Sequence, residues 1–435
     1  CLDHRGLGVN VKKSFLECRS VLKTVQSVTN IRFFLVWIEP ASLLTTNHMN
    51  SRIIRVMFLV VIGTMMHTSS VEAKPLKIFI LSGQSNMEGH AQTMNFPAIA
   101  KDPKTAEMYK EMVDAEGKPV VSDKVWISYS YGDFSGEPVG SKSGKLTTGW
   151  GSQHHTGTGK IGPEFTFGIY MHKLLNEPVL LIKTAWGGKS LHTDFRPPSA
   201  GPNLWNVPTD EKRIAARKAA TGRYYKLMIE HVKKVLADPK SAYPDYDAKE
   251  GFELAGFVWF QGYNDFVGPY PFTDPSKGRK SPKDYSEYSR LLSCFIRDLR
   301  KDLSAPTLPF VTGVFGMDGE TDHVKIVAFR KAMAAPAETE EFKGNVVNVF
   351  TQKYWPAELD SIKSKERKCS SEFKVTHKAK YEELKAKAKT LNRSELRKAN
   401  AVLRAELRAT LANILTEDEL FLLDNGVSNQ SYHYW

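Results

Sequence analysis

Leu76-Lys77-Ile78-Phe79-Ile80-Leu81-Ser82-Gly83-Gln84-Ser85-Asn86 is the stretch on which the fold turns. Its apolar run is short, as in a buried strand, and the small polar residues that follow read as a turn. The pattern returns downstream. Pro178 to Lys183 is a second such run, followed by Gly187-Gly188, and Leu254 to Phe260 is a third, stopping at Gln261-Gly262. Pro309 to Val314 and Asn345 to Phe350 supply two more. Between them lie helical stretches. Phe165 to Leu175 is opened by Pro163, Glu211 to Leu236 carries Ile214, Met228, Val232 and Leu236 among its apolar positions, and Asp284 to Leu303 follows the third strand. Strands alternating with helices predict an α/β fold, a three-layer α/β/α sandwich around a parallel sheet. Residues 92–150, mixed in polarity and rich in Gly and Lys, predict one strand at Val125 to Tyr129.

The ends of the chain differ in character from this middle. Arg52 and Arg55, the apolar Val56 to Met66 and Val71-Glu72-Ala73 have the form of a signal peptide beginning at Met49. The expected organisation is upstream sequence translated in frame over 1–48, a signal peptide over 49–73, and one folded domain over 74–435. A secreted or periplasmic protein is expected. The apolar run is about half of the ~20 residues that a bilayer span requires, so no stable membrane anchor is expected after cleavage. Residues from about 357 to 425 are rich in Lys, Glu, Ala and Leu, and Asn392-x-x-Glu395 and Thr416-x-x-Glu419 have the form of capping boxes. They predict a charged carboxyl-terminal helical insertion of two long helices.

Composition narrows the chemistry. The 435 residues are 41% hydrophobic and 11% aromatic, as expected for a domain with a large core. The net charge of +12 falls to about +8 without residues 1–73, and its basic residues are interspersed with acidic ones. No aromatic-interleaved basic stripe accompanies them, so nucleic acid is not an expected partner. Cys294 and Cys369 are the cysteines beyond residue 73, too few for a disulfide framework or a paired-cysteine zinc site. His154-His155 lacks a third ligand nearby in sequence, and no metal or other cofactor is expected. Gly188-Lys189-Ser190 has the ending of a phosphate-binding loop, but Lys183 stands where that motif needs glycine.

The first three strands each end in a small polar cluster, and open parallel sheets bind ligands at the carboxyl ends of their strands. Ser85, on a tight turn directly after a strand, is the candidate nucleophile.

Ile78 to Gly89, IFILSGQSNMEG, resembles the first block of the sialate O-acetylesterase-like branch of the SGNH hydrolases. Lys183-Thr184-Ala185-Trp186-Gly187-Gly188-Lys189-Ser190 is similar to the second block, and Trp259-Phe260-Gln261-Gly262-Tyr263-Asn264-Asp265 to the third. Gly162-Pro163-Glu164 resembles the segment preceding the second block, and Ser428 to Trp435 the final one. The resemblance spans about residues 76–435. It implies a flavodoxin-like SGNH fold and a serine esterase that removes acetyl groups from a glycan or a small acetylated sugar. Relatives continue into a closing helix where this chain stops at Trp435, so a truncated carboxyl terminus is expected.

Ester hydrolysis explains why such residues should converge, because attack on the carbonyl puts negative charge on its oxygen and donors must meet it. The resemblance implies that Ser85 N–H, the N–H of Gly188 or Gly187 and the Asn264 amide fill that role, with Gln261 as the alternative side-chain donor. Gln84, Gln261, Gly187 and Trp186 are the expected substrate-binding residues. His433 is the expected base, since imidazole exchanges protons near neutral pH. The wider family carries an aspartate three residues before this histidine, and Gln430 stands there. Asp265, Asp318, Asp322 and Asp424 are the candidates to orient the imidazole, or a backbone carbonyl does so in a dyad. Glu320-x-x-His323 is the competing pair. A glycan-binding module on an inactive hydrolase scaffold and an esterase for a non-carbohydrate acyl ester are the alternative functions.

Overall fold

The computed structural model describes residues 74–133, 135–153, 159–203, 210–268, 272–355, 357–388 and 392–425. The regions expected to be upstream translation and signal peptide lie outside them, as do His154-His155, Gln430 and His433. The described residues divide into two compact units, 74–76 with 247–253 in one and the remainder in the other. In the described part of the first, the Leu76 N–H donates to the Gly251 carbonyl at 3.2 Å. The second carries the features that follow.

The strands are β1 (Leu76–Gly83), β2 (Val125–Gly132), β3 (Pro138–Lys145), β4 (Val179–Ala185), β5 (Phe252–Phe260), β6 (Phe310–Val314) and β7 (Val346–Phe350). The helices are α1 (Ser85–Glu88), α2 (Phe96–Lys101), α3 (Ala106–Met112), α4 (Pro163–Leu175), α5 (Glu211–Ala220), α6 (Arg223–Ala237) and α7 (Tyr263–Val267). They continue with α8 (Ser286–Asp302), α9 (Val324–Ala334), α10 (Ala357–Thr376), α11 (Lys378–Lys387), α12 (Arg393–Ala412) and α13 (Glu417–Asn425). One seven-stranded sheet has the order β3-β2-β4-β1-β5-β6-β7. The pairs β1·β4, β2·β4, β5·β6 and β6·β7 are parallel, giving the mostly parallel α/β sheet that the alternation of strands and helices predicts.

The central strands explain their own position. Every residue of β4 is buried, as in a strand covered on both faces by helices. Leu81, Ile127, Phe165 and Leu181 belong to one core between sheet and helices. Further along, α8 presents Leu291, Leu292, Phe295 and Leu299, spaced as one helical face, to the core.

Three elements depart from expectation. The sheet is not purely parallel, because β3, with sequence PVGSKSGK, pairs antiparallel with β2 at the sheet edge. That sequence has no hydrophobic run because most of its side chains face water. Its backbone nonetheless satisfies its N–H and C=O groups by pairing with β2, a hairpin partner nearby in sequence. The helix expected over 211–236 is broken into α5 and α6 at Gly222, which adopts φ 70°. The charged carboxyl-terminal stretch forms α10 to α13 rather than two long helices, packed around Ile362, Cys369, Leu411 and Leu415. Both capping boxes form there, with Asn392 and Glu395 exchanging bonds to each other's N–H groups, and Thr416 and Glu419 likewise. Cys294 and Cys369 are free and buried. No helix among the described residues is long and apolar enough to cross a membrane.

Candidate active site

The strand order places β1 between β4 and β5, so the turns leaving these three strands emerge side by side at one edge of the sheet. Gly83 and Ala185 are register partners, and the Trp186 N–H donates to the Gly83 carbonyl at 3.2 Å. On the other side the Gln84 N–H donates to the Phe260 carbonyl at 3.2 Å. Gly83 is required by this close approach, because a Cβ there would stand 2.1 Å from the Phe260 oxygen. The chain then turns sharply into α1, whose first residue is Ser85, 7% exposed. Its N–H lies in the first turn of the helix, where no earlier carbonyl of the helix can accept it. Its hydroxyl makes no hydrogen bond among the described residues, leaving it available for chemistry.

The second and third turns are joined to the first by side-chain amides. Gln84, 2% exposed, accepts at Oε1 from Gly262 N–H (3.1 Å), Asn264 N–H (3.2 Å) and Gln261 Nε2 (3.2 Å). It donates from Nε2 to Asn264 Oδ1 at 2.8 Å. Gln261, 3% exposed, also donates to the Lys189 carbonyl at 3.0 Å and to Asp265 Oδ2 at 2.6 Å. Its own Oε1 accepts from the Tyr288 hydroxyl at 3.1 Å. Gly188 holds φ 73° and has open space where a side chain would stand. That combination favours glycine and leaves room for a ligand to approach the backbone.

Gln84, Gln261 and Trp186 are buried. The side-chain amides of both glutamines are engaged within the protein. Trp186 is fully buried against Phe195 and Tyr224, at ring-centroid distances of 6.0 and 5.3 Å. Gly187 is half-buried, and a Cβ there would lie 3.0 Å from Glu88 Oε2.

The candidate acids fall into two groups. Asp265 is buried and accepts from the Leu191 and His192 N–H groups, both at 2.8 Å, besides Gln261. It therefore clamps the turn after β4 to the turn after β5. Burial outweighs these three donors and raises its pKa from 3.8 to about 6. A carboxylate whose folded pKa is raised contributes stability that is full below its unfolded value near 3.8 and is lost as pH rises through about 6. Comparing wild type with Asp265→Asn by urea unfolding between pH 4 and 7 should show a loss of about 3 kcal/mol in wild type over this window that the variant lacks. Parallel curves would remove Asp265 as the source. Asp318, Glu320, Asp322 and His323 are exposed on the segment after β6, and no hydrogen bond or ion pair joins Glu320 to His323 among the described residues. Arg330 anchors that segment through the carbonyls of Phe315, Met317 and Gly319. Asp424 stands near the end of α13.

Sequence reasoning missed a charged group beneath the site. Lys183, fully buried in β4, donates to the Glu88 and Trp150 carbonyls at 2.8 Å each and to Glu164 Oε2 at 2.6 Å. Glu164 Oε1 accepts from Gly162 N–H at 2.8 Å. Burial pulls the lysine pKa down and pushes the glutamate pKa up, while each partner's charge opposes its neighbour's shift. The signal was a lysine inside an otherwise apolar strand, which a buried strand tolerates only with a partner. Gly162-Pro163-Glu164 supplies that partner.

The chain resembles a solved structure of a protein from Arabidopsis thaliana with 18% identity, 63% of this chain and 85% of that chain covered, and a TM-score of 0.34. It also resembles a carbohydrate acetylesterase from Xanthomonas citri with 14% identity and a TM-score of 0.36, covering 62% of this chain and 49% of that one. No curated protein sequence matches. The model of the family of carbohydrate esterases described as sialic acid-specific acetylesterases matches residues 75–352, well over half of the sequence. With the block order of the sequence built into three adjoining turns around Ser85, the chain belongs to this sialic acid-specific acetylesterase family of carbohydrate esterases.

Proposed function

We propose that the protein is a secreted serine esterase that removes acetyl groups from an acetylated glycan or a small acetylated sugar through an acyl-enzyme. Ser85 Oγ forms a bond to the acetyl carbon while His433 takes its proton, and the negative charge moves to the carbonyl oxygen. The N–H groups of Ser85 and Gly188 and the Asn264 amide meet that oxygen. His433 returns the proton to the departing sugar oxygen as the ester bond breaks. Water then repeats the sequence and acetate leaves. No metal or cofactor takes part in this scheme.

The observation that carries the reading is the Asn264 amide. Its oxygen is held by Gln84 Nε2, while its Nδ2 donates to no group among the described residues, so the side chain has a donor left for a ligand. The open backbone at Gly188 supports the same reading. Hydrolysis of p-nitrophenyl acetate, abolished in Ser85→Ala, is the expected result. A chain that binds acetylated glycans without turnover would instead be a binding module on an inactive scaffold. A screen of acetylated sialic acid, xylan and other acetylated glycans for released acetate identifies the carrier. Release from lipid or thioester substrates alone would move the assignment to a different acyl ester.

Export rests on the signal-peptide pattern from Met49 to Ala73. Amino-terminal sequencing of the protein recovered outside the cytoplasm should begin near Lys74. A mature protein that begins at Cys1 would overturn it.

A further inference from the structure

We propose that Gln84 is a positioning residue that fixes which face of the Asn264 amide meets the reacting ester, and so couples the nucleophile's turn to the oxyanion donor. The inference rests on the proposed esterase reading of this site.

An asparagine amide is nearly symmetric in shape and opposite in polarity at its two ends. Turned one way it donates to a developing oxyanion, and turned the other way it presents an oxygen and repels it. Something must select the donor orientation before substrate arrives, because a preorganised donor avoids paying for reorganisation during reaction. The geometry supplies the selection from the backbone upward. The N–H groups of Gly262 and Asn264 can only donate, and both point to the same atom of Gln84. That atom must be the oxygen, so the other end of the Gln84 amide must be the NH₂ group. This group lies 2.8 Å from Asn264, which must accept there with Oδ1. The Asn264 NH₂ is left as the end able to donate outward. Two backbone donors thus set one glutamine, and the glutamine sets the asparagine. Gln84 is also the residue immediately before Ser85, so the same amide that orients the donor is fixed to the nucleophile's own turn.

Gln84→Glu keeps the size and the accepting oxygen but, when ionised, has no proton to give Asn264. The asparagine should then turn to donate to the new carboxylate, placing its oxygen toward the ester. The expected result is a loss of kcat of about 10²–10³-fold above neutral pH with KM little changed, the size of losing one oxyanion donor. Protonation of the glutamic acid restores a donor, so the ratio of variant to wild-type kcat should rise as pH falls. A purely structural role would not produce that rise. Asp265 and Tyr288, the ionisable groups joined to Gln261 beside Gln84, are present in both enzymes and cancel in the ratio.

Asn264→Ala should cost about 10²-fold, and Gln84→Glu in that background should cost little more, because Gln84 acts through Asn264. Independent, multiplying losses would overturn the proposal, as would a flat ratio across pH. Full activity in Asn264→Ala would overturn the esterase reading of Asn264 itself. A normal Asn264→Ala loss beside an unaffected Gln84→Glu would overturn the orienting role alone. If Gln84→Glu does not fold, wild type inhibited with diethyl p-nitrophenyl phosphate carries the test. Its phosphoryl oxygen on Ser85 should lie within hydrogen-bond distance of Asn264 Nδ2 in a crystal structure, and a phosphoryl oxygen away from that atom would overturn the proposal.

Discussion

Ser85→Ala should lose at least about 10³-fold in kcat/KM on a small acetyl ester, while its unfolding midpoint stays near that of wild type. The hydroxyl makes no hydrogen bond among the described residues, so its removal breaks no interaction of the fold. Only the bond to the acetyl carbon is lost. His433→Ala should match this loss, and the double variant should be scarcely worse, because a nucleophile and its base act as one unit. His323→Ala should be mild. That residue is exposed and lies at the start of α9, and no contact joins it to Glu320 among the described residues. An acid partner should show as an intermediate loss in Asp→Asn variants of Asp265, Asp318, Asp322 and Asp424, since orienting an imidazole matters less than possessing one. Abolished turnover in His323→Ala with His433→Ala spared would move the catalytic pair to Glu320 and His323. The Asp265→Asn result needs its own reading, because that carboxylate clamps two turns through Leu191, His192 and Gln261.

Lys183→Met should lower the unfolding free energy by about 3–5 kcal/mol, measured by urea denaturation. The ammonium sits at zero exposure and spends its three N–H bonds on Glu88 O, Trp150 O and Glu164 Oε2. A methionine fills much the same volume but leaves two carbonyls without their donor and Glu164 charged in an apolar setting. Burial already pushes the glutamate pKa upward, and removing the lysine charge should push it further in the same direction. Lys183→Met combined with Glu164→Gln should therefore recover part of the loss, because replacing both members of a buried pair is less costly than stranding one. An unchanged unfolding midpoint in Lys183→Met would show that the pair contributes no stability here. Activity should fall as well, since Lys183 ties β4 to the end of α1 beneath Ser85.

Some features were legible because they are local. The apolar runs that became β1, β4, β5, β6 and β7 are contiguous in the chain, and the glycines that end them mark turns. Pro163 and both capping boxes are decided within four residues. The candidate nucleophile could be read for the same reason, since a serine directly after a strand needs no distant partner to stand on a turn. Block order then carried the family.

What only the tertiary structure decided is the direction in which polar side chains point. Gln84 and Gln261 stand 177 residues apart, yet Gln261 donates to the Gln84 oxygen in the interior. Nothing local distinguishes a glutamine aimed at a substrate from one aimed at a backbone N–H. Lys183 and Glu164, 19 residues apart, neutralise each other only because β4 and α4 pack together. β3 shows the same limit for the backbone. Its polar sequence became a strand because β2 offered it hydrogen bonds, and that pairing is a property of the folded sheet rather than of eight residues read alone. The sequence by itself determined which residues alternate, turn and cap, because those preferences act over one or two turns of chain. Partnership among buried polar groups had to await the fold, because burial is what makes an unpaired charge or amide costly.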